Sequence, residues 1–256
     1  MPVNVDADGR VLRIRLDRPD ARNAFDWETL EELCAAFTRL RDDDDVWVGV
    51  LTGSGDQAFC TGADLKKLPL QAAEKQAAGI EPPATIMADL DPGKPLVCAV
   101  NGDALGGGLE LALACDLRIA ADHALLGLPE ARWSLIPAGG GTQRLPRIIG
   151  PARALELMLT ATPIPAAQAL SWGLVHRVVP ADRLAAETAE VVDALLAVGP
   201  VAARAIRRLV YDGAELPLAE GLAREREAAT TVMRSADAAE GVLSFAQRRA
   251  PVWIGA

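Results

Sequence analysis

Hydrophobic positions in the first half of the chain follow two kinds of pattern. Val11 to Leu16 alternates, with Leu12, Ile14 and Leu16 apolar and Arg13 and Arg15 charged, which predicts a strand. Trp27 to Leu40 places Leu30, Leu33, Cys34, Phe37 and Leu40 three or four residues apart, the spacing of an amphipathic helix. Val46 to Leu51 and Pro95 to Val100 are short apolar runs rich in valine, bounded by Asp or Pro on one side and by Gly or Asn-Gly on the other. Runs of this kind are typical of strands buried on both faces, so the two segments predict a layered α/β core. Between them, Lys66 to Asp91 carries Pro69, Gly79, Pro82 and Pro83 amid mixed polarity, and is expected to be an extended or partly mobile excursion, able to shape one wall of a pocket.

From Pro151 onward the pattern turns helical. Ala152 to Leu159, Ala166 to Trp172, Leu184 to Val198, Val201 to Leu209 and Leu218 to Met233 all carry apolar residues at helical spacing, and only Leu174 to Val179, stopped by Pro180, reads as a strand. The chain thus divides into an α/β portion to about residue 150 and a helical portion after it, with no long Ser/Gly linker between them. No repeat of 20–50 residues is visible, although divergent strand-strand-helix units are compatible with the pattern.

Composition removes several function classes. Half of the 256 residues are hydrophobic, enough for a substantial core, and 35 acidic residues against 26 basic ones give a net charge of −9. That balance offers no footprint for nucleic acid or an anionic membrane, so any anionic ligand must be held by local groups. No apolar run approaches the ~18–20 residues of a membrane span, and the start lacks a signal-type stretch; a soluble cytoplasmic protein is expected. Cys34, Cys60, Cys98 and Cys115 stand singly among small or apolar neighbours, as buried thiols do, with no spacing for zinc or disulfides.

The glycine-rich stretches fail the nucleotide templates. Gly102 to Gly107 is followed by Gly108 and Leu109 rather than by Lys and Ser or Thr, and neither Gly106-x-Gly108 nor Gly139-x-Gly141 has its third glycine, Leu111 and Arg144 standing there instead. Ser54, Ser134 and Ser171 lie outside any G-x-S-x-G, and His123 and His176 are the only histidines, which excludes a histidine-rich metal site and argues against a Ser-His-Asp triad. Carboxylates beside glycine remain. Val100 to Asp116 reads as strand, turn, then a helix beginning in Gly106-Gly107-Gly108, whose first-turn N–H groups face outward toward an anion or a polarised carbonyl. Glu110 falls in the first turns of that helix. Glu130 follows a hairpin-like segment, Leu117 to Gly127, and then Pro129. Each acid alone is an ordinary residue for its place; as a pair in unequal settings they can divide acid and base work. Ala58 to Leu65 offers a further N–H at Ala63, although a plain strand-turn-helix link explains it equally well.

Taken in order, these pieces resemble the crotonase superfamily of enoyl-CoA hydratases and isomerases. Arg18 to Ala24 looks like its R-P-x-x-x-N-A signature, Ala58 to Asp64 its A-F-x-x-G-A-D segment, and Asn101 to Glu110 its glycine-helix motif, followed by Pro129-Glu130 and Ile136 to Arg144. The resemblance implies an α/β fold with a crotonase-like ββα spiral core over residues 1–195 and a C-terminal helical trimerisation region over 196–256, in one continuous domain. It further implies a trans-2-enoyl-CoA substrate, Glu110 and Glu130 as catalytic acids, and an oxyanion hole of the Ala63 and Gly107 N–H groups. CoA contacts are implied at Arg22, Ala24, Ala63, Asp64, Leu65 and Lys66, with Lys67 as a further phosphate candidate. No cofactor is implied, coenzyme A being part of the substrate, and no metal, nucleic acid or membrane partner. A homotrimer or a hexamer of paired trimers is expected, in which Phe245, Arg248 and Arg249 approach a neighbour's CoA. Asp103, Thr61 and Ser134 depart from the usual family residues, and with Trp133 they leave the acyl preference open. Rival readings are a Δ3,Δ2-enoyl-CoA isomerase, a dehydratase of one 3-hydroxyacyl-CoA, and a non-catalytic acyl-CoA- or RNA-binding relative.

Overall fold

The polypeptide alternates between two sheets. It opens with an antiparallel pair, β1 (Val3–Asp8) and β2 (Val11–Leu16), and then α1 (Trp27–Asp42), which Asp26 caps by accepting the Thr29 N–H. Strand-strand-helix units follow: β3 (Val48–Gly53), β4 (Ala58–Cys60) and α2 (Leu68–Ala77), then β5 (Leu96–Val100), β6 (Asp103–Leu105) and α3 (Gly107–Leu113). The next unit has β7 (Leu117–Ala121), β8 (Leu125–Gly127), a short 3-10 turn at Glu130–Trp133 and α4 (Gly141–Ile149). Then come α5 (Pro151–Thr160), β9 (Ile164–Pro165), α6 (Ala166–Ser171), β10 (Arg177–Val179), α7 (Leu184–Leu196), α8 (Pro200–Gly213), α9 (Leu218–Val232) and α10 (Ala236–Gln247). This computed structural model describes residues 1–80 and 91–256.

Each unit sends its first strand to a six-stranded sheet ordered β1-β2-β3-β5-β7-β10 and its second to a four-stranded sheet ordered β4-β6-β8-β9. Within each sheet the strands of successive units are parallel neighbours, so the chain advances as a spiral. The second strand of each unit ends where its helix or turn begins, at one edge of the molecule, and that places Cys60, Leu105 and Gly127 side by side.

The valine-rich runs are buried on both faces, as their lack of alternation predicts. On β5, Leu96, Cys98 and Val100 face a cluster with Leu12, Ile14, Leu33, Phe37, Phe59 and Leu109, while Val97 and Ala99 face a second cluster with Val48, Val50, Ile119, Val191 and Val192. The second cluster is closed by α7, the first by α1 and the small sheet.

Three expectations require correction. Leu117 to Gly127 is no hairpin: β7 pairs with β5 and β10 while β8 pairs with β6 and β9, because three residues carry the chain from one sheet to the other. Within the expected excursion, Leu68–Ala77 is a helix, with Pro69 in its first turn, where a missing N–H costs nothing; residues 81–90 lie outside the described residues. The expected strand Leu174 to Val179 is shorter, its Leu174 and Val175 buried in the approach to β10. Among the described residues no helix is long and apolar enough to cross a membrane.

Candidate active site

The glycine run and the Ala63 segment meet at the shared edge. Gly62 takes φ +88°, and a Cβ there would lie 2.9 Å from the Gly107 nitrogen, so only a glycine lets the two backbones approach. Phe25 N–H donates to Gly62 O and Asp64 N–H to Phe25 O, which leaves the Ala63 N–H between them turned away. Gly107 opens α3, where first-turn N–H groups have no helical partner. Among the described residues neither the Ala63 nor the Gly107 N–H finds a backbone acceptor, and both residues are half-exposed amid buried neighbours. Two N–H donors side by side at a helix start are suited to a carbonyl oxygen gaining negative charge.

One turn into α3, Glu110 is 3% exposed. Its Oε1 accepts the Gly141 N–H at 2.8 Å, at the start of α4. Burial raises its pKa above the ordinary 4.5, while the Gly141 and Gly139 N–H groups and the Arg144 charge pull the other way. Arg144 also holds the turn itself, donating through Nη1 to Gly139 O at 3.2 Å.

Glu130 begins the 3-10 turn after β8 and approaches the same place from the other side. Its Oε1 lies 3.2 Å from where a Gly106 Cβ would be, and Gly106 itself needs φ +55°. Its Oε2 is buried and has no hydrogen-bond partner. Burial pushes the carboxyl up to about 7; its own backbone N–H opposes this and the Glu110 charge adds to it. The two acids therefore share one electrostatic environment, one anchored by an N–H and one with an unsatisfied oxygen.

A family model described as Enoyl-CoA hydratase/isomerase matches residues 6–256. The chain belongs to the enoyl-CoA hydratase/isomerase family. The (E)-benzylidenesuccinyl-CoA hydratase of Thauera aromatica is 37% identical over 256 residues, covering 100% of both chains. A carnitinyl-CoA dehydratase of Proteus mirabilis is 40% identical over 255 residues, covering 96% of each. The crystal structure of an enoyl-CoA hydratase from Bacillus anthracis matches with a TM-score of 0.92 at 37% identity, covering 100% of both chains. The crotonase fold and the enzymatic character of the family follow.

Of the residues that family membership suggests for CoA, several cluster beside Ala63. The Ala24 carbonyl accepts from the Arg18 guanidinium, and Asp64 pairs with the same group at 3.1 Å. Leu65 and Lys66 are exposed just beyond them, and the Lys67 Nζ lies 3.8 Å from Asp26. Arg22 is already engaged, its guanidinium 2.5 Å from Asp103, so a phosphate at Arg22 competes with that carboxylate. Phe245 is 87% exposed near the end of α10, while Arg249 pairs with Glu240 of its own chain. Sequence reading overlooked the Gly139 and Gly141 amides that hold Glu110, and Arg18 as a link between loops. The signal for the first was present: Gly139-Gly140-Gly141 repeats the pattern of a helix starting in glycines, which suits a carboxylate as well as a phosphate.

Proposed function

We propose that the protein is an enoyl-CoA hydratase, adding water reversibly across the C2=C3 bond of a trans-2-enoyl-CoA. The observation that carries the reading is the meeting of Glu110 and Glu130 in one buried environment with unequal partners, beside the Gly107 and Ala63 N–H groups. The substrate's thioester oxygen accepts from those two N–H groups, and a water sits between the carboxylates. Glu110, ionised, takes a proton as the water oxygen bonds to C3. The C2=C3 electron pair moves toward the thioester, giving an enolate whose charge the oxyanion hole stabilises, each donor being worth about 2.7–4 kcal/mol. Glu130, protonated, delivers its proton to C2, and return of the proton from Glu110 to Glu130 resets the pair. Dehydration is the same path reversed. No cofactor is required, because coenzyme A arrives as part of the substrate, and Arg22, Ala24, Asp64, Leu65 and Lys66 are its contacts in this reading.

A second reading is favoured by the relatives named carnitinyl-CoA dehydratase, at 40% identity: physiological dehydration of one particular 3-hydroxyacyl-CoA. Exposed apolar residues on the C-terminal helices, among them Ile206, Val210, Leu218 and Val242, support a trimer or a pair of trimers, which sedimentation velocity tests. Purified protein is expected to consume the conjugated enoyl-thioester absorbance of crotonyl-CoA, and Glu110→Gln and Glu130→Gln each to lose most of that activity. Full activity in either variant contradicts the paired-acid mechanism, and a panel of enoyl- and 3-hydroxyacyl-CoAs separates the two readings.

A further inference from the structure

The contact that presents the Ala63 N–H is one rung wide. Phe25 and Ala63 form an isolated bridge, made by Phe25 N–H to Gly62 O and Asp64 N–H to Phe25 O, both 2.9 Å, with no regular strand continuing at either residue. Gly62, at φ +88°, adds freedom at the neighbouring peptide. A rung of this kind does not by itself fix the direction of an N–H to the tolerance that a transition-state donor needs.

Arg18 brackets the rung. One Nη donates to the Ala24 carbonyl, before Phe25; the other lies 3.1 Å from Asp26 Oδ2, after Phe25, and 3.1 Å from Asp64 Oδ2, next to Ala63. A single planar guanidinium thus joins both sides of one loop to the facing loop. The three side chains are 13%, 8% and 15% exposed, so solvent screens the pairing little. The root of Arg18 is fixed too: its N–H donates to Asn23 Oδ1, and the Asn23 side-chain amide donates to the carbonyls of Ser54, just after β3, and Ala58, at the start of β4.

We propose that Arg18 is a positioning residue for the Ala63 donor, clamping the 62–64 loop against the 24–26 loop so that it governs turnover more than thioester affinity. The inference rests on the oxyanion-hole reading of Ala63 and Gly107. Lysine cannot replace the fork, since one ammonium does not span three acceptors in a plane.

The test compares wild type with Arg18→Gln, Arg18→Lys and Asp64→Asn on the best enoyl-CoA. It adds the infrared carbonyl band of the corresponding saturated acyl-CoA, which has no double bond to hydrate and is labelled with 13C at the thioester carbon. In Arg18→Gln the expected result is a kcat lower by about tenfold to a hundredfold, with KM changed by less than about threefold. The bound carbonyl band moves back toward its position in free thioester. Arg18→Lys falls between wild type and Arg18→Gln, and Asp64→Asn shifts the band in the same direction by less. An unchanged kcat, a loss carried by KM, or a fall in kcat with an unmoved carbonyl band overturns the proposal. If circular dichroism shows Arg18→Gln unfolded, Arg18→Lys and Asp64→Asn decide the matter by the same readouts. Wild type that hydrates no enoyl-CoA, or leaves the bound carbonyl band where it is in solution, overturns the parent reading and this inference with it.

Discussion

Glu110 and Glu130 are the same residue type at one site, yet the surrounding structure treats them differently. Glu110 sits inside α3, is almost wholly buried, and has an oxygen gripped by the Gly141 N–H at the start of α4. Glu130 starts a short turn whose next residues, Trp133, Leu135 and Ile136, are exposed, and one of its oxygens is buried without a partner. An N–H bonded to a carboxylate favours the charged form, and an unsatisfied buried oxygen favours the neutral one. Two identical side chains therefore need not compete for one role: in the proposed mechanism the helix-start amides suit Glu110 to the work of the base, and the unsatisfied pocket suits Glu130 to that of the acid.

The largest expected effect comes from erasing either member. Glu110→Gln and Glu130→Gln should each lower kcat by about 10²–10⁴-fold, measured by loss of enoyl-thioester absorbance. The next largest effect is expected at the anchor of Glu110: in Gly141→Ala the new Cβ would lie 2.9 Å from Glu110 Oε1 and 2.8 Å from the Pro137 side chain. Displacing the inner acid should lower kcat by about a hundredfold, while the alkaline limb of the pH profile stays in place.

That profile supplies the next test. In the hydration direction Glu130 must be protonated, so kcat/KM should fall as pH rises through about 7. Glu110 must be ionised, so it should also fall toward acid, around a pKa raised above 4.5. Stability should follow the same acid. Glu130 binds its proton more tightly in the folded chain than the ordinary 4.5, so its contribution is fully present below 4.5 and is lost as pH rises through about 7. Glu130→Gln should therefore raise the Tm relative to wild type above neutrality and not in acid. The smallest effect is expected at the outer acid's support, where Arg132 Nε donates to Ala161 O at 3.0 Å. Arg132→Ala should loosen the turn and lower kcat by only a few-fold, about what one part-buried hydrogen bond allows.

Local pattern made the site's ingredients legible but left its assembly hidden. The alternation of Val11 to Leu16, the unbroken apolar run of β5 and the helical spacing of Trp27 to Leu40 each record which faces are covered, so those elements were read correctly. The break between β7 and β8 could not be read, because Ala121 to Leu125 has the composition of a hairpin turn and the choice of partner strand is made by β5 and β6, far away in sequence. Helix α2 was missed because Pro69 reads as a breaker unless it falls in the first turn. Glu110 and Glu130 were named from glycine neighbours and family resemblance. What distinguishes them, the Gly141 amide and the unpartnered oxygen, arises only when three units of the spiral bring their strand ends to one edge.

The assignment of roles is tested most directly by infrared titration of the carboxyl groups from about pH 5 to about pH 9. A protonated-carboxyl band is expected that survives at mildly acid pH, disappears through about 7, and is absent from Glu130→Gln. A band that remains in Glu130→Gln and is lost in Glu110→Gln would reverse the roles of the two acids and contradict the account.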